Sequence, residues 1–542
     1  MQKTEDRAAP DAPGQAAGPA QAKPGLVAFT GTGPGDPGLI TLRAADLLGR
    51  ADLVIGSADL TRRVADLLPE GATVIDVDQA GPDPAKLIVA AQEGQLVIRL
   101  CPGDPLLFGP AAAEADACAK AAVRLEIVPG MPAATAVPAY VGLPLTSDAT
   151  PDLRILHASE LSRASADSPA GSLVILGAEG GPVDIAKMLM AAGRADATPM
   201  TITWNGTTTH QRTVLTKLSS VAADLKAAGV SALTEDGPAI AVVGEAAAHR
   251  GLSWFENKPL FGWRVLVPRT KEQAASVSER LRSYGAVPEV VPTIAVEPPR
   301  APQQMDRAIK GLVTGRFQWI AFTSANAVRA VREKLEEYGL DARAFAGIKV
   351  AAVGEQTAAA LGDFGIKPDL VPEAEQSSEG LAAAWPPYDD VLDPINRVLL
   401  PRADIATETL VARLTDLGWE TEDVTAYRTV RAAPPPAAIR EAIKGGGFDA
   451  VLFTSSSTVR NLIGIAGKPH AVTAVAVIGP QTAQTAAEYG LRVDVTAPRP
   501  SATALVDALA EHGARLRDAA LAAGEPVRRP SERRRGARRR VR

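Results

Sequence analysis

The chain has 542 residues, 46% hydrophobic and 22% charged, with 57 Lys and Arg against 62 Asp and Glu for a formal net charge of −5; the length suggests about three or four units of ordinary domain size. No nucleic-acid partner is expected, although the Arg-rich end could touch nucleic acid or an acidic partner, and no stretch is long and apolar enough to span a bilayer, so the expected location is cytoplasmic without a membrane partner. Two cysteines, Cys101 and Cys118, exclude a disulfide framework, and the five histidines show no ligand spacing among themselves or with the cysteines, so no metal is expected.

In chain order, residues 1–25 are rich in Ala, Pro, Gly and Gln and read as a disordered leader. GLVAFTGTGPGDPGLITLRAADLL, from Gly25, then gives an apolar strand, a glycine-rich turn and a helix with apolar residues at helical spacing. Alternation of strands and helices continues to GPAIAVVGEA at 237–246, which delimits a first domain at 26–257. LSWFENKPLFG at 252–262 reads as a connector whose aromatics pack on their neighbours, and a second domain is expected at 258–515.

That second domain contains one pattern twice. WRVLVPRT at 263–270 returns as NRVLLPRA at 396–403, FTSANAVRAV at 322–331 as FTSSSTVRNL at 453–462, and AVGEQTAAA at 352–360 as VIGPQTAQT at 477–485. Two similar α/β lobes follow, with a cleft between them as the place for chemistry. VVPTIAVEPP at 290–299 and DVTAYRTVRAAPPP at 423–436 are β-prone runs stopped by proline. If the chain crosses through them, lobe one is 263–292 plus 433–515, lobe two is 297–429, and the runs form a two-stranded hinge. Residues 516–542 read as an Arg-rich disordered tail.

Each copy also carries turns of small residues between strand and helix, at Thr323 to Asn326, Gly354 to Thr357, Thr454 to Ser457 and Gly479 to Thr482. Backbone N–H groups at helix N-termini carry fixed partial positive charge and suit anions. The plainer role of these hydroxyls is helix capping, and the two roles are compatible.

The series VLVPR, FTSANAV, AVGEQTAAAL, SSEGL, LLPRAD, VTAYRT, FTSSSTV, IGPQTAQ resembles uroporphyrinogen-III synthase over 263–515. The resemblance implies a cofactor-free enzyme that takes the octacarboxylate hydroxymethylbilane, expels its terminal hydroxyl as water and closes the ring with the last pyrrole inverted, releasing uroporphyrinogen III. It implies Tyr427 as the residue assisting departure of the hydroxyl. Substrate-binding candidates are Arg269, Thr323, Ser324, Gly354, Arg402, Thr454, Ser455, Ser456, Gly479, Gln481 and Thr482, with Arg428 as a further cation for carboxylates.

GTGPGDPGLITLRA at 31–44, GDPLLFG at 103–109, VPGMPAATA at 128–136, GLPLT at 142–146, NGTTTHQ at 205–211 and PAIAVVGE at 238–245 resemble the tetrapyrrole methyltransferases, in particular uroporphyrinogen-III C-methyltransferase. This implies a two-subdomain fold, S-adenosylmethionine as cofactor held by Pro34, Gly103, Asp104, Ala133, Leu176 and Gly206, and homodimerisation through this domain. The chain departs from the family pattern at Gly56, Ser57 and Ala58, around Asp78 and Gln79, at Cys101 and Pro102, and at Pro110 to Glu114. Charge and hydrogen bonding are lost there, so three readings stand: a fusion of two enzymes of heme, siroheme or cobalamin synthesis, a synthase with a structural or regulatory first domain, and a non-catalytic tetrapyrrole-binding protein.

Overall fold

The computed structural model describes residues 25–537 except 78–82, 110, 149, 162–170, 179–180, 231–237, 250, 374 and 406–407. The leader up to residue 24, the Asp78–Gln79 departure, Pro110 and residues 538–542 lie outside the described residues. The chain divides into two compact units, Met1–Gly262 and Trp263–Arg542. The connector 252–262 therefore goes wholly with the first unit, and the expected boundary after residue 257 moves accordingly. Trp254 and Phe255 pack against Tyr140 in tilted and edge-to-face arrangements, with ring centroids 5.1 and 4.7 Å apart, which anchors the connector there.

The first unit contains two five-stranded sheets. One is parallel, in the order β3-β2-β4-β1-β5, from β1 (Leu26–Gly31), β2 (Leu53–Gly56), β3 (Thr73–Asp76), β4 (Leu96–Cys101) and β5 (Leu125–Val128). Its inner strands β1, β2 and β4 are mostly apolar and buried, as expected where helices cover both faces, whereas the edge strand β3 is largely exposed. Val27, Phe29 and Ile55 pack on Leu87 and Cys118 on one side, and Ala28, Val54 and Ile98 on Leu47 and Leu60 on the other. The second sheet is mixed, in the order β6-β7-β10-β8-β9, from β6 (Leu153–His157), β7 (Ser172–Leu176), β8 (Pro199–Trp204), β9 (Arg212–Lys217) and β10 (Ala239–Val243).

The second unit also contains two sheets. The first, β12-β11-β18-β19-β20, joins β11 (Arg264–Val267) and β12 (Val287–Val290) to β18 (Ala450–Phe453), β19 (Ala474–Val477) and β20 (Val495–Thr496), all parallel. The other, β13-β17-β16-β14-β15, comprises β13 (Ile294–Glu297), β14 (Trp319–Phe322), β15 (Lys349–Ala352), β16 (Arg397–Ala403) and β17 (Glu420–Arg431). The long β17 runs parallel to β16 up to Tyr427, then antiparallel to β13 from Arg428 to Arg431. The two proline-ended runs thus form a ladder where the chain passes between the lobes. Arg428 is not a free cation: it donates to Glu297 at 2.6 Å and to the Pro298 carbonyl at 3.2 Å.

The carboxyl end differs from the expected disordered tail. A helix spans Ala502–Ala522, and another Pro530–Ala537. The first continues past 515 because residues 514–522 are mostly Ala, Leu and Arg, which lose little freedom in a helix. The second begins on a proline, is tied by Arg529 to Glu532 at 2.6 Å, and donates Ser531 N–H to Asp449 at 2.9 Å. Among the described residues no helix is long and apolar enough to cross a membrane.

Candidate active site

In parallel α/β sheets, ligands meet the carboxyl ends of the strands. In lobe one, β11 is followed by Arg269 and Thr270, and the adjacent β18 by Thr454 and Ser455. These residues line a cavity of about 240 Å³ together with Gln273, Thr293, Ser457, Thr458 and Asn461. Arg269 is half-buried, its guanidinium pKa is lowered by desolvation, and among the described residues no carboxylate pairs with it. The cavity also faces the start of the helix Ser456–Ala466, which Ser455 caps by accepting from Thr458 N–H at 3.2 Å. A partly desolvated cation beside a helix N-terminus has the charge and donors that suit a carboxylate.

The neighbouring turn after β19 presents Gly479 at the N-terminus of the helix Pro480–Glu488, where a Cβ on Gly479 would have no atom within 4 Å. Thr485 ties the two turns together, reaching Ser456 Oγ at 2.9 Å and the Gln481 carbonyl at 3.2 Å. Thr482 is buried in this packing, and the Gln481 side chain is exposed.

Lobe two repeats the plan with two departures. Ser324 caps the helix Ala325–Glu337 through Ala327 N–H at 3.2 Å, and Thr323 precedes it half-buried. The Gly354 turn, by contrast, is closed. Gln376 lies over it, accepting from Glu355 N–H at 3.2 Å, and a Cβ on Gly354 would meet that side chain at 2.7 Å. Gly354 is therefore withdrawn as a ligand site.

Arg402 is withdrawn as well. Its side chain is 5% exposed, and it grips Asp423 on the next strand, with Nε to Oδ1 at 2.6 Å, and reaches Glu408 at 3.3 Å. Asp423, one strand over, supplies what the sequence pattern hid: an internal anion that turns a candidate ligand group into a cross-strand clamp beside the β16 bulge. Tyr427 sits on β17 with 7% exposure and its hydroxyl 2.9 Å from Ser324 Oγ, bordering a cavity of about 320 Å³.

In the first unit Pro34, Gly103 and Asp104 lie at the carboxyl ends of β1 and β4 and Ala133 follows β5, whereas Leu176 ends β7 and Gly206 follows β8 of the second sheet. Gly33 and Gly103 exchange backbone hydrogen bonds at 3.1 and 3.3 Å. Pro102, which lacks a donor, is exposed and leaves this bridge intact. Asp104 accepts from Gly130 N–H at 3.2 Å and Leu106 N–H at 2.9 Å. Ala133 and Leu176 border one apolar cluster, Gly206 packs so closely on Val137 that a Cβ would approach it at 2.4 Å, and Pro34 accepts from Arg63 at 3.5 Å. Sequence reasoning missed Gly31 and Gly130, whose contact allows the turns to meet, although both stand at strand ends. It also missed Asp36, which accepts from Tyr140 at 2.7 Å and from Gly38 N–H at 2.8 Å.

The open side of Gly103, where a Cβ would come no closer than 3.7 Å to another atom, fits a cofactor that needs backbone approach.

Cys101, at the end of β4, is 4% exposed, and burial pushes its thiol up to about 12; burial raises Cys118 too. A thiol kept neutral by burial stabilises the fold fully below its ordinary pKa near 9, and that contribution is lost as pH rises toward 12. Neither cysteine should react with iodoacetamide at pH 8 until the unit unfolds; labelling of native protein at the rate of a free thiol would contradict this.

A family model for uroporphyrinogen-III synthase HemD matches residues 275–507, and one for tetrapyrrole (corrin/porphyrin) methylases matches 27–222. A porphyrin biosynthesis protein HemD of Ruminiclostridium josui is 31% identical over 510 residues, covering 90% of this chain and 98% of that protein. A uroporphyrinogen-III C-methyltransferase of Bacillus subtilis is 28% identical over 354 residues, covering 62% of this chain and 70% of the relative. Among solved structures, uroporphyrin-III C-methyl transferase from Thermus thermophilus complexed with S-adenyl homocysteine superposes with a TM-score of 0.36 at 29% identity, covering 41% of this chain and 99% of that one.

Proposed function

Because this chain belongs to the family of the porphyrin biosynthesis protein HemD and carries a tetrapyrrole-methylase unit ahead of a uroporphyrinogen-III synthase unit, we propose that it converts hydroxymethylbilane to uroporphyrinogen III and binds S-adenosylmethionine in its first unit. The observation that carries the synthase reading is the set of helix N-termini at the strand ends of both lobes, the closed Gly354 turn apart, joined in lobe one by Arg269, with which no carboxylate pairs among the described residues. An acidic chain has no long-range pull on an octacarboxylate, and local N–H groups and one desolvated cation supply the attraction.

The chemistry asks little of side-chain acids. The C–O bond of the hydroxymethyl group breaks with its electron pair going to oxygen, which takes up a proton from solvent and leaves as water. The delocalised cation left behind bonds to the carbon of the last ring that already carries the bridge from the third ring. The old bridge bond then breaks with its electron pair returning to the last ring, and the second delocalised cation so formed at the bridge bonds to that ring's free α-carbon, which loses a proton, so that one water is lost in all. Tyr427 donates a hydrogen bond to the departing oxygen. Ring inversion is this exchange of C–C bonds, and the cleft favours it over direct closure by holding the first cation close to the substituted carbon of the last ring.

In the first unit, bound S-adenosylmethionine would supply an electrophilic methyl group. Gly103, Pro34 and Ala133 would hold it by backbone approach, and Asp104 would keep the loop in place through Gly130. The test supplies hydroxymethylbilane to the full chain with and without S-adenosylmethionine and resolves the oxidised porphyrin isomers. Isomer III is expected in both tubes, and a methylated product only with the cofactor. Isomer I at the spontaneous level in both would overturn the synthase reading, and isomer III without methylation would reduce the first unit to a cofactor-binding or structural part.

A further inference from the structure

We propose that Ser324 is a positioning residue for ring closure, fixing the direction of the Tyr427 hydroxyl so that its proton is offered to the substrate. The proposal rests on the reading that Tyr427 assists departure of the hydroxyl.

Ser324 Oγ accepts from Ala327 N–H at 3.2 Å and lies 2.9 Å from the Tyr427 hydroxyl. A serine hydroxyl has one proton and two lone pairs. The positive end of the helix Ala325–Glu337 attracts those lone pairs, so the proton turns away from the helix, toward Tyr427. Tyr427 then accepts from Ser324 and keeps its own proton for a third group. Successive hydrogen bonds polarise one another, so the chain from Ala327 through Ser324 to Tyr427 makes the phenol a better donor. Tyr427 is held for this task by its strand: Asp404 N–H donates to its carbonyl at 3.2 Å, and the side chain is 7% exposed.

The internal repeat provides a control within the molecule. Ser455, the counterpart of Ser324, caps its helix in the same way, but its hydroxyl meets Ser457 at 2.9 Å. Capping is common to both copies, whereas the phenol contact belongs to lobe two. Ser324, which the sequence pattern groups with substrate-binding hydroxyls, thus acts through Tyr427.

The experiment compares Ser324→Asp, Ser324→Thr, Tyr427→Phe and the Asp/Phe double variant in the full chain, measuring kcat and KM for isomer III formation together with Tm. Aspartate caps a helix at least as well as serine, but ionised it can only accept, so it turns the Tyr427 proton inward. Ser324→Asp is therefore expected to keep its Tm and KM while kcat falls roughly ten-fold, the scale of one hydrogen bond. Ser324→Thr keeps both groups and should retain about half of kcat or more, and Ser324→Asp should add nothing to the loss caused by Tyr427→Phe. Wild-type kcat in Ser324→Asp, or an equal loss with and without the phenol, overturns the proposal while leaving Tyr427 in place. A wild-type rate in Tyr427→Phe would instead remove the reading on which it rests.

Discussion

Replacing Gly130 by alanine is expected to weaken binding of S-adenosylhomocysteine by at least about a hundred-fold, because the added methyl has no room and its neighbours are backbone. A Cβ on Gly130 would stand 2.0 Å from the Gly103 carbonyl oxygen and 2.7 Å from Gly31 Cα. Relief requires the Gly103 loop to move away, which breaks its paired hydrogen bonds with Gly33 and withdraws Asp104 from Gly130 N–H. Overpacking of this kind costs about 1–3 kcal/mol even where side chains can yield, and about 2.7 kcal/mol is a hundred-fold in affinity. Calorimetric titration of the full chain checks the expectation. Gly71, where a Cβ would have no atom within 4 Å, is the control and should tolerate alanine. Undiminished affinity in Gly130→Ala would mean that the three touching turns are not the cofactor's cradle.

Glu114→Ala should destabilise the first unit by about 3–5 kcal/mol, the usual result of stranding a buried charge. Arg99 and Glu114 are 7% and 5% exposed in their side chains and meet through two hydrogen bonds, of 2.7 and 2.9 Å. Without the carboxylate, Arg99 keeps the Leu100 carbonyl at 2.6 Å but loses its only ion-pair partner among the described residues. Replacing both residues by leucine removes the desolvated charges together and should recover most of the loss. Urea unfolding followed by circular dichroism separates the outcomes: a shift in midpoint for the single variant that the double variant does not reverse would mean the pair serves some other purpose. Glu114 stands where the methyltransferase pattern carries ligand-gripping residues, so its inward position also takes it out of any binding face.

The repeat, the strand and helix alternation and the proline-stopped runs were legible because they are local or periodic, and burial patterns repeat with them. The helix N-termini could be anticipated too, since Ser324 and Ser455 stand two residues after apolar runs, each behind a threonine, and cap the helices that follow. What could not be anticipated was the partner each polar group finds. Arg269 and Arg402 sit at matching places in the two copies, yet one lines a cavity that has no carboxylate among the described residues and the other is clamped by Asp423. Gly354 and Gly479 also match, but Gln376, a residue outside the repeated motif, closes the first and nothing closes the second. The tail was misjudged for a related reason: its charge suggested solvation, while its alanine and leucine content and the contact of Ser531 with Asp449 favour helix.

The amino-acid sequence by itself determined the α/β class, the twofold repeat, the family and the position of Tyr427 on a crossing strand. All of these follow from apolar periodicity, glycine and proline placement and the order of motifs, which survive without knowledge of distant contacts. Only the tertiary structure decided which arginine is available to an anion, which turn is open, and that the phenol rests on Ser324. Those outcomes depend on groups far apart in the chain meeting within about 3 Å, and at that range a single carboxylate or amide decides whether a polar side chain faces a ligand or its own fold.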